Sequence, residues 1–181
     1  MKKLNELVKS NNVKGYGFKA IVNYCEINAD KNGEEIVVST LSPALMAEMG
    51  IKEYYAPVLP RNSVFNTSED VEQADLEVNH VVVCKTMSIG DKRLIVSRHP
   101  GTIGLLKDAF PDAEILTGNV TKEDIEGCYV VGTLPPHLIQ HVQAYSAFVI
   151  KDFDYAKDGD LSGNELEERG KLCDPIKVVI E

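Results

Sequence analysis

The sequence predicts an α/β fold: a largely parallel sheet with flanking helices, in two related halves. Strand-length apolar runs alternate with helix-like stretches, the pattern of crossover units on a parallel sheet. Two separated segments also share one layout. Residues 36–46 (IVVSTLSPALM) and 129–139 (YVVGTLPPHLI) each read as buried strand, small-Thr-Leu turn, proline and apolar helix. A repeat of this kind is an architectural signal.

In chain order, residues 19–24 (KAIVNY) are expected to form the first strand, corresponding to 93–98 (RLIVSR) in the second half. Residues 30–33 carry an Asn-Gly pair that favours a tight hairpin-type turn, where the second half has a helix. Residues 36–39 then form a buried strand, and Pro43 suits a first helical turn. A strand at 54–59, an acidic polar stretch at 66–74 and a Val-rich strand at 78–84 complete the first half. The halves meet near 88–91, which sets domains of 1–88, a degenerate α/β repeat, and 89–181. The second half repeats the order. It has a strand at 94–97, a helix from about Thr102 and a strand at 129–131. A helix after Pro136, a strand at 145–150, an acidic stretch at 158–168 and a strand at 176–180 follow.

Composition narrows the function. At 181 residues the chain can bury a sizeable core, and no apolar run approaches the roughly 20 residues of a membrane helix. The first residues (MKKLNE) lack the apolar core of a signal peptide. Cys25, Cys84, Cys128 and Cys173 form no C-x-x-C pair, which argues against zinc and a disulfide framework and for a cytoplasmic, reducing setting. A formal charge of −9 opposes binding of long nucleic acid, while a few local cations and amides still suffice for a small phosphorylated ligand.

The strongest chemical signal is Ser97-Arg98-His99-Pro100-Gly101, a turn between strand and helix. The N-terminus of a helix favours anions through its unpaired amides and its dipole. Arg98 adds a bidentate donor suited to phosphate, and His99 a group that titrates near neutral pH. In an open α/β sheet ligands sit outside the carboxyl ends of the strands, so this turn and 132–136 should share a rim. There Gly132, Thr133 and Leu134 offer backbone and a hydroxyl, and His137 follows on the next helix.

Three other patterns compete. His137 and His141 lie four apart on one predicted helix face, but no third metal ligand accompanies them. Arg98-His99 brings histidine phosphatases to mind, except that Pro100 intervenes before the glycine. Asp154, Asp158, Gly159 and Glu165 fit positions 1, 5, 6 and 12 of an EF-hand calcium loop, yet position 3 is Ala156 and the preceding segment reads as strand. A solvated acidic loop leading into a helix capped by Ser162 is the preferred reading.

Together, SRHPG after a strand, GTLP about 35 residues later and GDLSGNEL at 159–166 resemble a family of small CRISPR-associated ring nucleases of type III systems. The resemblance covers about residues 92–170. It implies a Rossmann-like fold and metal-independent cleavage of a cyclic oligoadenylate messenger, with no cofactor, at a site often completed across a homodimer. It also implies that Arg98 and His99 are catalytic, while Ser97, Gly101, Thr102, Gly132, Thr133, Leu134 and His137 contact the ligand. The N-terminal half is a departure from the small family members. A non-cleaving sponge for a cyclic nucleotide and an interaction domain without a small ligand are the two other functions the sequence leaves open.

Overall fold

The computed structural model describes residues 2–60, 63–153, 158–159 and 161–181. It is an α/β structure of the Rossmann-like class and divides into two compact units, 1–83 with 179–181 and 84–178.

The first unit begins with β1 (Lys2–Lys3) and α1 (Leu4–Ser10), then β2 (Asn11–Tyr16), α2 (Lys19–Asn28), β3 (Glu34–Ser39), α3 (Pro43–Glu48) and β4 (Glu53–Pro57). After these come α4 (Ser68–Ala74) and β5 (Glu77–Lys85), whose last two residues lie beyond the unit boundary. Strands β2, β3 and β4 are parallel neighbours in that order, and β5 runs antiparallel to β4. Its core joins Leu4, Val8, Ile21, Tyr24 and Val71, all withdrawn from solvent. Two ends are fixed by side chains. Ser42 accepts from Leu45 N at the start of α3, and Thr67 with Asp70 forms a reciprocal capping box on α4.

One expectation is overturned here. Residues 19–24 are not a strand but the first part of α2. Ala20, Ile21, Tyr24 and Cys25 are buried at i, i+1, i+4 and i+5, a helical stripe that the β-branched Ile21-Val22 pair disguises. The strand of that position is β2, whose sequence (NNVKGY) has one aliphatic residue and is held by a six-residue parallel register with β3. The first half therefore does carry a helix after β2, ten residues long like its counterpart α5. Nor do residues 30–33 join two strands. They turn α2 into β3, closed by Gly33 N donating to Asp30 O at 3.0 Å and Asn32 N to Asp30 Oδ1 at 3.0 Å.

The second unit contains β6 (Arg93–Val96), α5 (Pro100–Ala109), β7 (Glu114–Leu116), α6 (Lys122–Ile125), β8 (Tyr129–Gly132), α7 (Pro136–Ile139) and β9 (Ala144–Ile150). It ends with α8 (Gly163–Arg169), β10 (Gly170–Leu172) and β11 (Ile176–Ile180), which crosses the unit boundary after Val178. The parallel strands lie in the order β7-β6-β8-β9, with β10 and β11 antiparallel to β9. Ile95, Val131, Ala144 and Leu106 form the centre of its core. Strand β8 is buried at every residue, as expected of a central parallel strand covered on both faces.

The winding differs between the units. In the first, β2 leads to β3 and β3 to β4, always one step in the same direction. In the second, β6 leads through α5 to β7 on one side, while β8 leads through α7 to β9 on the other. Right-handed crossovers in opposite directions put their helices on opposite faces of the sheet. The carboxyl ends of β6 and β8 thus form a topological switch point, where the crevice of a doubly wound sheet opens.

Burial raises the phenol pKa of four tyrosines, each in its own surroundings. Burial pushes the phenols of Tyr24 and Tyr145 up to about 12, and raises those of Tyr54 and Tyr129 as well. The folded chain holds these protons after the unfolded chain has lost them near pH 10, so stability falls as pH rises from about 10 to 12 and is flat with respect to them below that window. Denaturant midpoints measured across that window, alongside tyrosinate absorbance, should show the loss and the late ionisation together.

Candidate functional site

Residues at the switch point are held together by backbone. Val96 and Gly132, the last residues of β6 and β8, are direct partners in the parallel register. Thr133 N donates to Val96 O at 2.8 Å, and Ser97 N to Leu116 O, at the end of β7, at 3.3 Å. The turns 97–101 and 132–136 therefore lie side by side, as the rim argument requires. Gly132 makes this possible, because its φ is +115° and a Cβ there would collide with the Val96 carbonyl oxygen.

The first turn has two fastenings. Ser97, buried, accepts from His99 N through its hydroxyl at 3.2 Å, and His99 O accepts from Ile103 N at 3.0 Å. Pro100 is the first residue of α5, two residues earlier than the sequence suggests, where its missing N–H costs nothing. His99 precedes the helix in extended backbone, and its imidazole makes no capping hydrogen bond to it. Arg98 and His99 are both exposed at the rim. The Arg98 guanidinium reaches across to the Asn119 side-chain oxygen at 3.3 Å from Nη2.

The second turn is shaped from below. The buried Tyr145 hydroxyl, on β9, donates to Gly132 O at 3.0 Å and accepts from Leu134 N at 3.3 Å. Thr133 stays exposed between these two bonds, while Leu134 is buried under the turn. The structure thus brings Ser97, Arg98, His99, Gly132 and Thr133 together. Thr102 is buried in the first turn of α5. At Gly101 a Cβ would come within 2.5 Å of Leu161 O, so the segment before α8 packs on that side of it. His137 is exposed on α7.

Two contributors escape the sequence reading, Asn119 and Tyr145. Asn119 follows Gly118 in the loop after β7, a polar turn that any surface loop might carry. Tyr145 reads simply as an apolar strand residue until its hydroxyl is seen to bridge the turn.

The competing patterns fare as follows. Helix α7 ends at Ile139, so His141 is not on a helical face with His137. Among the described residues no group of three or more His, Cys, Asp or Glu side chains could hold a metal ion. Asp154 and Ala156 of the calcium pattern lie outside the described residues. Of the other acidic positions, Asp158 and Glu165 both accept from Arg169, at 2.7 and 3.0 Å, and the segment before the loop is strand β9. A guanidinium thus already supplies positive charge to that loop. Ser162 stands at the N-cap of α8 without a side-chain capping bond.

The same turn recurs in the first unit. Thr40 N donates to Tyr16 O at 3.1 Å, and Tyr16 pairs with Ser39, just as Thr133 N reaches Val96 O and Val96 pairs with Gly132. There Gly17, with φ +99°, takes the tight position beside Thr40, and Thr40 Oγ1 accepts from Phe18 N at 2.9 Å. No guanidinium or imidazole occupies residues 17–18.

Two substitutions test this geometry. Gly132→Ala combines left-handed backbone with a clash against Val96, and should cost about 3 kcal/mol in denaturant unfolding. Tyr145→Phe strands a buried amide and a buried carbonyl, and should cost about 1–3 kcal/mol while leaving the far-ultraviolet circular dichroism unchanged. Comparison with known proteins adds no relative: no protein-family model, no curated protein and no solved structure matches the chain.

Proposed function

We propose that the fork between β6 and β8 binds a phosphodiester of a cyclic oligoadenylate and that the protein cleaves it. The observation that carries this reading is the pairing of Val96 with Gly132 at a switch point, which sets Arg98, His99 and the start of a ten-residue helix beside Thr133. Arg98 is exposed and braced by a neutral amide rather than buried against a carboxylate, so its charge is available to an anion. The ten-residue α5 presents its first amides towards the same place.

Such a ligand brings its own nucleophile. The ribose 2′-oxygen attacks the adjacent phosphorus, the bond to the 5′-oxygen breaks, and a 2′,3′-cyclic phosphate and a 5′-hydroxyl result. The protein has to hold the ring in line, which is catalysis by positioning. Arg98 stabilises charge gathering on the phosphoryl oxygens. His99 accepts the 2′-hydroxyl proton or delivers one to the leaving 5′-oxygen. Every group in this scheme is an organic side chain or a backbone amide.

Incubation of the pure protein with cyclic tetra-adenylate in EDTA should give linear products ending in a cyclic phosphate. Arg98→Ala should slow cleavage about 10²–10³-fold and His99→Ala about 10²–10⁴-fold, with folding intact. Intact ring released from denatured protein would replace cleavage with sequestration. A ring that neither binds nor breaks would overturn both.

A further inference from the structure

Among the described residues around the connection from β9 to α8, one guanidinium meets four acceptors. Arg169, the last residue of α8, donates from Nε to Lys151 O at 3.1 Å and from Nη1 to Glu165 Oε1 at 3.0 Å. Its Nη2 donates to both Asp152 O and Asp158 Oδ2, each at 2.7 Å. The Arg169 carbonyl in turn accepts from Lys151 N at 2.8 Å. Asp152 adopts left-handed backbone, φ 52°, as the chain leaves β9. The Arg169–Asp158 pair is also sheltered, with side-chain exposures of 23% and 18%. A planar fork of five N–H donors suits this set of acceptors; an ammonium has three and no fork.

What Arg169 fastens is seated on α5. The residues just before α8 pass over Gly101, where a Cβ would lie 2.5 Å from Leu161 O, 3.4 Å from Ser162 Cα and 3.2 Å from Leu166 Cδ2. Leu166, on α8, is 2% exposed. Gly101 is the second residue of α5 and follows Arg98 and His99 by three and two positions. The close approach is backbone on backbone, so movement of 161–162 must displace the first turn of α5 or open a gap beneath it.

We infer that Arg169 is a positioning residue for the rim site: by tying Asp158 and the carbonyls of Lys151 and Asp152 to α8, it sets the Leu161–Ser162 backbone against Gly101 and so places the first turn of α5 with Arg98 and His99. The link to ligand rests on the reading of the fork as a phosphate site; the link from Arg169 to α5 does not. Arg169 itself touches no reacting atom in this scheme. It acts through Gly101.

Amide hydrogen exchange on the full chain, paired with binding of cyclic tetra-adenylate, separates these links. In Arg169→Ala, exchange should quicken about tenfold or more at both 161–166 and 103–105, while 129–132 is unchanged. Arg169→Lys should restore part of the protection, and it serves for the comparison if the alanine variant does not fold. Affinity for the ring should fall about tenfold in the same variants, with Arg98 intact. Loosening confined to 161–166, or coupled loosening with unaltered affinity, overturns the inference. Wild-type protein that binds no ring overturns the proposed function, and the exchange data then still decide whether Arg169 places α5.

Discussion

The pairing of two strand ends governs the second unit. Val96 and Gly132 lie opposite each other, and a single backbone hydrogen bond from Thr133 seals the join. Only a residue without a side chain can stand where Gly132 does, since both its φ and the Val96 carbonyl exclude a Cβ. From that join the chain departs in two directions, through α5 to one side and through α7 to the other. The position of Arg98, the exposure of Thr133 and the convergence of two loops all follow from it. Tyr145 reinforces the same point from the core, bonding the carbonyl of Gly132 and the amide of Leu134 with one hydroxyl.

Around this join, polar groups are divided between buried and exposed. Ser97, Thr102 and Tyr145 are buried, whereas Arg98, His99 and Thr133 face outward. A buried hydroxyl must find partners within the fold, and those of Ser97 and Tyr145 do. The missing side chain of Gly101 admits the backbone of Leu161. Among the described residues of the acidic segment, Asp158 and Glu165 both accept from Arg169.

Much of this architecture was legible in the sequence wherever apolar pattern and turn chemistry agree. The segments at 36–46 and 129–139 are strand, turn and helix as their spacing predicts, down to prolines in the first turn of each helix. The rim location followed from the rule for parallel sheets. The errors arose where local composition misleads. NNVKGY has little β-propensity and is made a strand by its neighbour β3, while KAIVNY has strand-like residues on a helical stripe. Packing overrides propensity in both cases. The partners of the site, Asn119 and Tyr145, were illegible for another reason: their roles depend on strands brought together from distant parts of the chain, and the order β7-β6-β8-β9 leaves no mark on any short segment.

The first unit shows what the join alone is worth. Tyr16, Ser39 and Thr40 reproduce its hydrogen bond, but β2, β3 and β4 follow one another outward without reversal. An Arg-His-Pro-Gly turn grafted onto residues 17–20 would therefore sit at strand ends whose crossovers run the same way, with no switch point beside it. A comparable switch point there would take a rerouted chain rather than altered side chains, which makes connectivity, more than the identity of any residue, the scarce ingredient of that geometry.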